Sequence, residues 1–285
     1  MEVVLGKNAG FCYGVRRAVD GAKDELKKAN NKIYCLGEIV HNKQVVNKLR
    51  ENGMKFIEQI EETNGSTVIR AHGVKKQVYE YGKKQGIELK DFTCPYVLRI
   101  HNIAEEYAEN GYYIFLCGSK KHPENIGTIS FCGKYVSVIE TEEDTIPAIE
   151  EFKKSGKNKL LVIIQTTYSV ERFNKIEKIL KEKMPEQSEV VIKNTICKAT
   201  EVRQQETDEI SKNVEYMVIV GGANSSNTKK LYEIGKKNCN NCICIETAEE
   251  LPIQEIKKYN KVGVMAGAST PQEVIQNVVD KLNNI

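Results

Sequence analysis

A chain of 285 residues is long enough for two or three compact units, each with its own core. Hydrophobic residues at 40% and charged residues at 28%, with only six prolines, exclude a disordered chain, and 42 basic against 39 acidic side chains exclude an electrostatic nucleic-acid binder. No apolar run, Leu160–Ile164 included, is long enough to span a bilayer, so the protein is expected in the cytoplasm, where nine reduced cysteines point to metal or redox chemistry rather than disulfides.

In chain order, Met1–Gly6 has neither a basic start nor a long apolar stretch and reads as a first strand rather than a signal peptide. Gly10-Phe11-Cys12 then precedes a helix, because Val15, Ala18, Val19, Ala22 and Leu26 fall on one helical face. A short apolar strand ends at Gly37, a second passes through Phe56 and Ile57, and a third, Val68-Ile69, runs into Arg70-Ala71-His72. The set then repeats. Thr93-Cys94-Pro95 opens a helix with Val97, Ile100, Ile103, Ala104 and Tyr107 on one face and with proline in the first turn, where its missing N–H costs nothing. Strands follow ending at Gly118, through Val138 and Ile139, and through Val162–Ile164 into Gln165-Thr166. The third copy has Ile196-Cys197-Lys198, then strands ending at Gly221, through Cys244 and Ile245, and through Val264 and Met265 toward Ser269.

From each cysteine to the first glycine-ended strand is 24 or 25 residues, so this is one α/β design used three times. Strands alternating with helices predict mostly parallel sheets covered by helices. The expected domains are 13–95, 96–195 and 196–285, with the N-terminal strand 1–12 a candidate to pack with the third.

In such sheets, ligands bind beyond the carboxyl ends of the strands. Cys12, Cys94 and Cys197 all fall there, each at a helix start whose free N–H groups favour a thiolate. A closed structural zinc site needs four close ligands, whereas three widely spaced thiolates suit a [4Fe–4S] cluster that leaves one iron free for a substrate. The alternative is three small buried cysteines filling space. Cys239, Cys242 and Cys244 resemble a metal motif, but the repeat places the last two in a strand as packing residues; Cys35, Cys117 and Cys132 also read as structural.

Three of the four histidines, His41, His72 and His122, lie at predicted strand ends, whereas His101 falls on the helix after Cys94. With Ser225, Ser226, Asn227 and Ser269 at helix starts, they suit a phosphate or diphosphate, although the Ser and Asn residues equally suit N-capping. Thr166-Thr167 stands at a matching strand end. Glu124 beside His122 is either a proton donor, with Thr166 orienting the proton, or a solvated loop carboxylate.

Taken together, Gly37-Glu38-Ile39-Val40-His41-Asn42, His122-Pro123-Glu124, Gln165-Thr166-Thr167, Asn224-Ser225-Ser226-Asn227 and Ala268-Ser269-Thr270-Pro271, with the three cysteine segments and Arg70-Ala71-His72-Gly73, resemble the 4-hydroxy-3-methylbut-2-enyl diphosphate reductases. These enzymes close the methylerythritol phosphate route of isoprene biosynthesis. The resemblance runs the length of the chain. It implies three related α/β domains in a pseudo-threefold trefoil around a central iron–sulfur site, a [4Fe–4S] cluster (also met as [3Fe–4S]) held by Cys12, Cys94 and Cys197. It further implies that His41, His72, His122, Thr166, Thr167, Ser225, Ser226, Asn227 and Ser269 bind the allylic diphosphate, and that Glu124 with Thr166 delivers the proton. In that family the substrate hydroxyl meets the open iron and leaves as water, giving isopentenyl or dimethylallyl diphosphate with electrons from a partner such as ferredoxin or flavodoxin. No nucleic-acid or membrane partner is expected. Lys198 and Leu98 stand where a tyrosine and a threonine are expected, and neither is a ligand position. Two rival readings are a cluster-dependent hydro-lyase, which needs no reductant, and an iron–sulfur sensor or electron carrier, which needs no anion pocket.

Overall fold

The structure is a computed structural model that describes residues 1–28 and 32–285. Its first third runs β1 (Glu2–Leu5), α1 (Tyr13–Lys28), β2 (Ile33–Leu36), α2 (Lys43–Glu51), β3 (Lys55–Ile57), β4 (Ser66–Ile69), α3 (Lys76–Gln85) and β5 (Leu89–Asp91). The middle runs α4 (Pro95–Glu109), β6 (Tyr113–Cys117), α5 (Pro123–Ile129), β7 (Val136–Ile139), α6 (Thr145–Lys154), β8 (Lys159–Ile164), α7 (Val170–Lys183) and β9 (Glu189–Ile192). The last third runs α8 (Lys198–Ser211), β10 (Tyr216–Val220), α9 (Ser226–Asn238), β11 (Cys242–Ile245), α10 (Ile253–Ile256), β12 (Lys261–Ala266) and α11 (Gln272–Asn283).

The strands form three four-stranded sheets in the orders β1-β12-β10-β11, β5-β4-β2-β3 and β9-β8-β6-β7, with every pairing parallel. The three orders are one pattern. In the second and third, the chain leaves one central strand toward one edge and the next central strand toward the other, which opens a crevice between their carboxyl ends; in the first, β10 leads to the edge strand β11 and the other edge is filled by β1 from the start of the chain. The short strands β5 and β9 are additions to the expected elements. β1 pairs with β12 in the position that β5 and β9 occupy in the other two sheets.

By contact density the chain forms two compact units, one of Met1–Val19, Val40–Leu49 and Lys198–Ile285, the other of Asp20–Ile39 and Arg50–Cys197. In the first, β10 buries Tyr216, Val218 and Val220 against α11 residues Ile275 and Val278, and buries Met217 and Ile219 on its other face with Leu231 of α9. A strand covered on both faces needs an unbroken apolar run, which is why Tyr216–Val220 shows no alternation. In the second unit, β6 and β8 do the same, with Phe115 and Val162 on one face and Ile114, Leu116, Leu161 and Ile163 on the other. Tyr34, Leu36 and Ile69 form a smaller cluster over β2 and β4.

Cys242 packs in the apolar layer beneath α9, as the repeat predicts, and Cys239 joins it there. Cys244 does not. It is exposed on β11, an edge strand, so it faces outward instead of filling the core.

The repeat extends to single bonds. The N–H groups of Gly37, Gly118 and Gly221 donate to Ile57, Ile139 and Ile245 at 2.8, 2.9 and 2.8 Å, closing each first crossover in one way. Gly37 has φ +69°, and a Cβ there would run into the Arg70 guanidinium, so glycine is required on two grounds.

Candidate active site

Each of the three cysteines follows an edge strand and precedes a helix, and each is tied to the sheet by its own N–H. Cys94 donates to Ala71 at 2.9 Å, Cys197 to Thr166 at 3.0 Å and Cys12 to Ala268 at 3.2 Å. The three acceptors lie two residues beyond the ends of β4, β8 and β12. The same bond thus hangs each cysteine at the carboxyl end of a sheet.

Burial separates these cysteines from all the others except Cys244, which is exposed on the edge strand β11. Cys12, Cys94 and Cys197 are partly exposed, whereas Cys35, Cys117, Cys132, Cys239 and Cys242 are buried. Burial pushes the Cys35, Cys117, Cys132 and Cys242 thiols up to about 12, which keeps them neutral and inert. Soft sulfur donors at three helix starts, accessible and not packed into a core, fit an iron–sulfur group; the other buried cysteines do not.

In the second unit, the crevice between β6 and β8 holds Glu124 and Thr166. Glu124 is the one carboxylate buried among the described residues, at 2% exposure. The Thr166 N–H donates to its Oε1 at 2.7 Å and the Thr166 hydroxyl to its Oε2 at 2.7 Å. Burial pushes the Glu124 carboxyl up to about 7, and the two Thr166 bonds hold it from rising further. Pro123 starts α5 at its first turn and His122 is the N-cap, its Nδ1 accepting from the Glu124 N–H at 3.3 Å. The His122 ring lies edge-on to His72, centroids 5.5 Å apart.

A buried amide pair braces this turn. Gln165 Oε1 accepts from Asn125 Nδ2 at 2.9 Å and from the Ser119 N–H at 3.1 Å, and Gln165 Nε2 donates to the Thr167 hydroxyl at 2.8 Å. The sequence analysis gave no role to Asn125, or to Gln165 although it lies in the Gln165-Thr166-Thr167 motif; each is the chain neighbour of a candidate site residue. His101 is also buried, stacked on Phe131 at 4.4 Å, and lies close to Gly73 and Gly127. Desolvation lowers its imidazole to about 4, so it is neutral at physiological pH.

The first unit carries the remaining polar residues. The Ser269 hydroxyl donates to the His41 carbonyl at 3.1 Å, and Gly222 is so close to that carbonyl that a Cβ would meet it at 2.8 Å. Ser225 is the N-cap of α9, accepting from the Thr228 N–H at 3.3 Å, so the capping expectation holds for it. Asn227 differs. It is 4% exposed, and neither its Oδ1 nor its Nδ2 has a hydrogen-bond partner among the described residues. A buried amide left so is costly unless a ligand completes it.

Among the described residues no helix is long and apolar enough to cross a membrane. The family model for the LytB protein matches residues 3–283. A curated relative from Caldanaerobacter subterraneus subsp. tengcongensis, a 4-hydroxy-3-methylbut-2-enyl diphosphate reductase, is 39% identical over 292 residues, covering 100% of this chain and 98% of its own. One of the same name from Clostridioides difficile strain 630 is 38% identical, with both chains fully covered. Among solved structures, the E-1-hydroxy-2-methyl-but-2-enyl-4-diphosphate reductase from Plasmodium falciparum superposes with a TM-score of 0.91 at 31% identity, covering 99% of this chain and 88% of its own. A structure of (E)-4-hydroxy-3-methyl-but-2-enyl diphosphate reductase, the terminal enzyme of the non-mevalonate pathway, superposes at 0.71 with 37% identity over the whole of both chains.

Proposed function

This chain belongs to the LytB family and is an oxidoreductase, and we propose that it reduces 4-hydroxy-3-methylbut-2-enyl diphosphate to isopentenyl and dimethylallyl diphosphate. The reaction breaks one C–O bond and consumes two electrons and two protons. It releases water and leaves a C–H bond where the allylic system is protonated.

The single observation that carries the reading is Glu124, a fully buried carboxyl held on both oxygens by Thr166, with a proton affinity near neutrality. A carboxylic acid of that kind is protonated often enough at pH 7 to give its proton up, and Thr166 keeps it aimed. The same Thr166 accepts the Cys197 N–H, which links the acid to a cysteine of the proposed metal centre. That centre is a [4Fe–4S] cluster on Cys12, Cys94 and Cys197. When bound, it supplies an open Lewis-acidic iron and a path for single electrons.

The diphosphate is assigned to His41, His72, His122, Thr166, Thr167, Ser225, Ser226, Asn227 and Ser269. The support for this is the bare amide of Asn227 at the start of α9, where free N–H groups and the helix dipole also favour an anion. Electrons come from a cytoplasmic ferredoxin or flavodoxin, and the domain limits are taken as 13–95, 96–195 and 196–285.

The test is an anaerobic assay with the synthetic substrate and a viologen reductant, following both five-carbon diphosphates. Reductant-dependent product from the wild type, lost in Glu124→Gln while iron is retained, is the expected result. Turnover without reductant would favour a hydro-lyase, and unchanged turnover in Glu124→Gln would remove its role as the acid.

A further inference from the structure

The second sheet has its own crevice, between the carboxyl ends of β2 and β4, and a cavity of about 520 Å³ opens there. Leu36 ends β2, Glu58 and Arg70 follow β3 and β4, and all three line it. Val78 and Tyr81 of α3 and Pro123 and Ile126 of α5 supply apolar walls. The walls are fixed to each other: the Lys76 N–H donates to the Ser130 hydroxyl at 2.8 Å, and Gly127 packs so close to the Val74 carbonyl that a Cβ would meet it at 3.2 Å. The size is that of a small-molecule site, and none of the residues assigned to the diphosphate lines it.

Arg70 is the repeat counterpart of Gln165. Each is the first residue past its central strand, β4 or β8, and each fills the space beside the glycine that follows the other central strand, Gly37 or Gly118. Gln165 is saturated by Asn125, Ser119 and Thr167, which fills its crevice. Arg70 is not saturated. Its one hydrogen bond runs from Nε to the Gly73 carbonyl and is long, at 3.4 Å, so both Nη groups of a half-buried guanidinium lack a partner, and it forms no ion pair among the described residues. Burial lowers its proton affinity, and the charges of Glu58 and Glu38 offset part of that without touching it. The other charged residues of the lining, Glu58, Glu61 and Lys75, are exposed, where water screens them. A fixed, under-bonded cation stands where the third sheet has a satisfied amide.

We propose that this cavity is a second ligand site that takes a small organic acid, with a carboxylate on the two free Nη groups of Arg70 and a branched or aromatic apolar body against Val78, Tyr81 and Ile126. A guanidinium matches a carboxylate with two parallel N–H···O bonds, and in a half-buried cleft such a pair is stronger than in water. The apolar walls lose their water to the body of the same ligand. Helix α5 carries both Ile126 and Glu124, so the ligand abuts the helix that holds the buried acid.

The test uses the full chain, purified anaerobically and labelled with ¹⁵N-arginine. The probe is 3-methylbutanoate, with 3-methylbutanamide as its neutral match and acetate as the anion without the body. The Arg70 Nε–H signal, identified by its loss in Arg70→Lys, should shift saturably with 3-methylbutanoate, with a Kd on the order of 1 mM. The amide and acetate should each bind at least about tenfold more weakly. Ile126 is 38% exposed, so Ile126→Asp keeps the fold while setting a carboxylate into the apolar wall, and it should also weaken the probe at least about tenfold. Asn227→Leu, altered in the diphosphate site, should bind the probe as the wild type does. No saturation by about 50 mM, or equal affinity for acid and amide, overturns the anion site. Acetate binding as tightly as the probe overturns the apolar recognition. Binding lost in Asn227→Leu but kept in Ile126→Asp places the probe in the diphosphate site and overturns the second site altogether. The readout is binding alone, so it stands or falls apart from the reductase reading.

Discussion

Thr166 meets Glu124 twice, its N–H on Oε1 and its hydroxyl on Oε2, each at 2.7 Å, and passes its own carbonyl to the N–H of Cys197. Three residues from one strand end and two helix starts are joined by direct bonds. The Glu124 acid can therefore neither rotate away nor exchange its partners for water without disturbing a cysteine.

The pH response of stability follows from two buried groups of opposite sign. The folded Glu124 carboxyl is raised to about 7 from an ordinary 4.5, so the folded state holds the extra proton between those values and stability falls as pH rises through that window. His101 is lowered to about 4 from 6.5, so the unfolded state holds the extra proton and stability falls as pH drops through 6.5 toward 4. The two slopes oppose each other in the wild type. Urea midpoints at pH 5 and 7.5 should show Glu124→Gln gaining relative stability at the higher pH and His101→Leu gaining it at the lower, each by up to about 3 kcal/mol. Parallel shifts in both variants would contradict the assignment.

Substituting Cys12, Cys94 or Cys197 with serine should remove most of the roughly four irons per chain that a [4Fe–4S] cluster implies. Cys242→Ser buries a hydroxyl in the apolar layer under α9 and should cost about 1–3 kcal/mol of stability while keeping the iron. Iron and sulfide analysis beside a thermal melt separates the two behaviours. Iron lost only from Cys242→Ser would move the metal to the other cysteine group.

Asn227→Leu tests the ligand reading against a structural one. A side chain kept for packing costs stability when it is replaced, whereas one whose polar atoms await a ligand does not. The expected outcome is a KM for the diphosphate raised at least about tenfold, roughly 1.4 kcal/mol of binding, with an unchanged or higher melting temperature. A lower melting temperature with unaltered KM would make Asn227 structural.

Gly37→Ala should destabilise the chain by about 1–3 kcal/mol, because φ +69° disfavours any Cβ and the Arg70 guanidinium already fills its place. Arg70→Ala in the same background should recover part of that loss by clearing the clash. A denaturation series on the two single variants and the double variant measures the coupling.

Much of the site was readable in the residues because its signals are local. A cysteine before a helical stripe, a proline in a first turn and a glycine closing an apolar strand each depend on a few neighbours, and three copies of the pattern confirmed one another. β5 and β9 escaped because each is three or four residues long, at a sheet edge, with no fully buried position to mark it. The bond from Arg203 Nη2 to the Gly10 carbonyl escaped because the two lie 193 residues apart, and in sequence Arg203 is one more charge on a polar helix.

The sequence by itself determined the alternation of strand and helix and the threefold reuse of one unit, since periodicity and spacing encode what short-range backbone geometry requires, and its short motifs carried the resemblance to the family. Only the tertiary structure decided that β1 pairs with β12 at the far end of the chain, that Glu124 is buried while Cys244 is exposed, and that Arg203 reaches the turn before Cys12. Those outcomes depend on which surfaces lose water when distant segments close on one another. Desolvation is a property of the packed neighbourhood, and no stretch of sequence carries it alone.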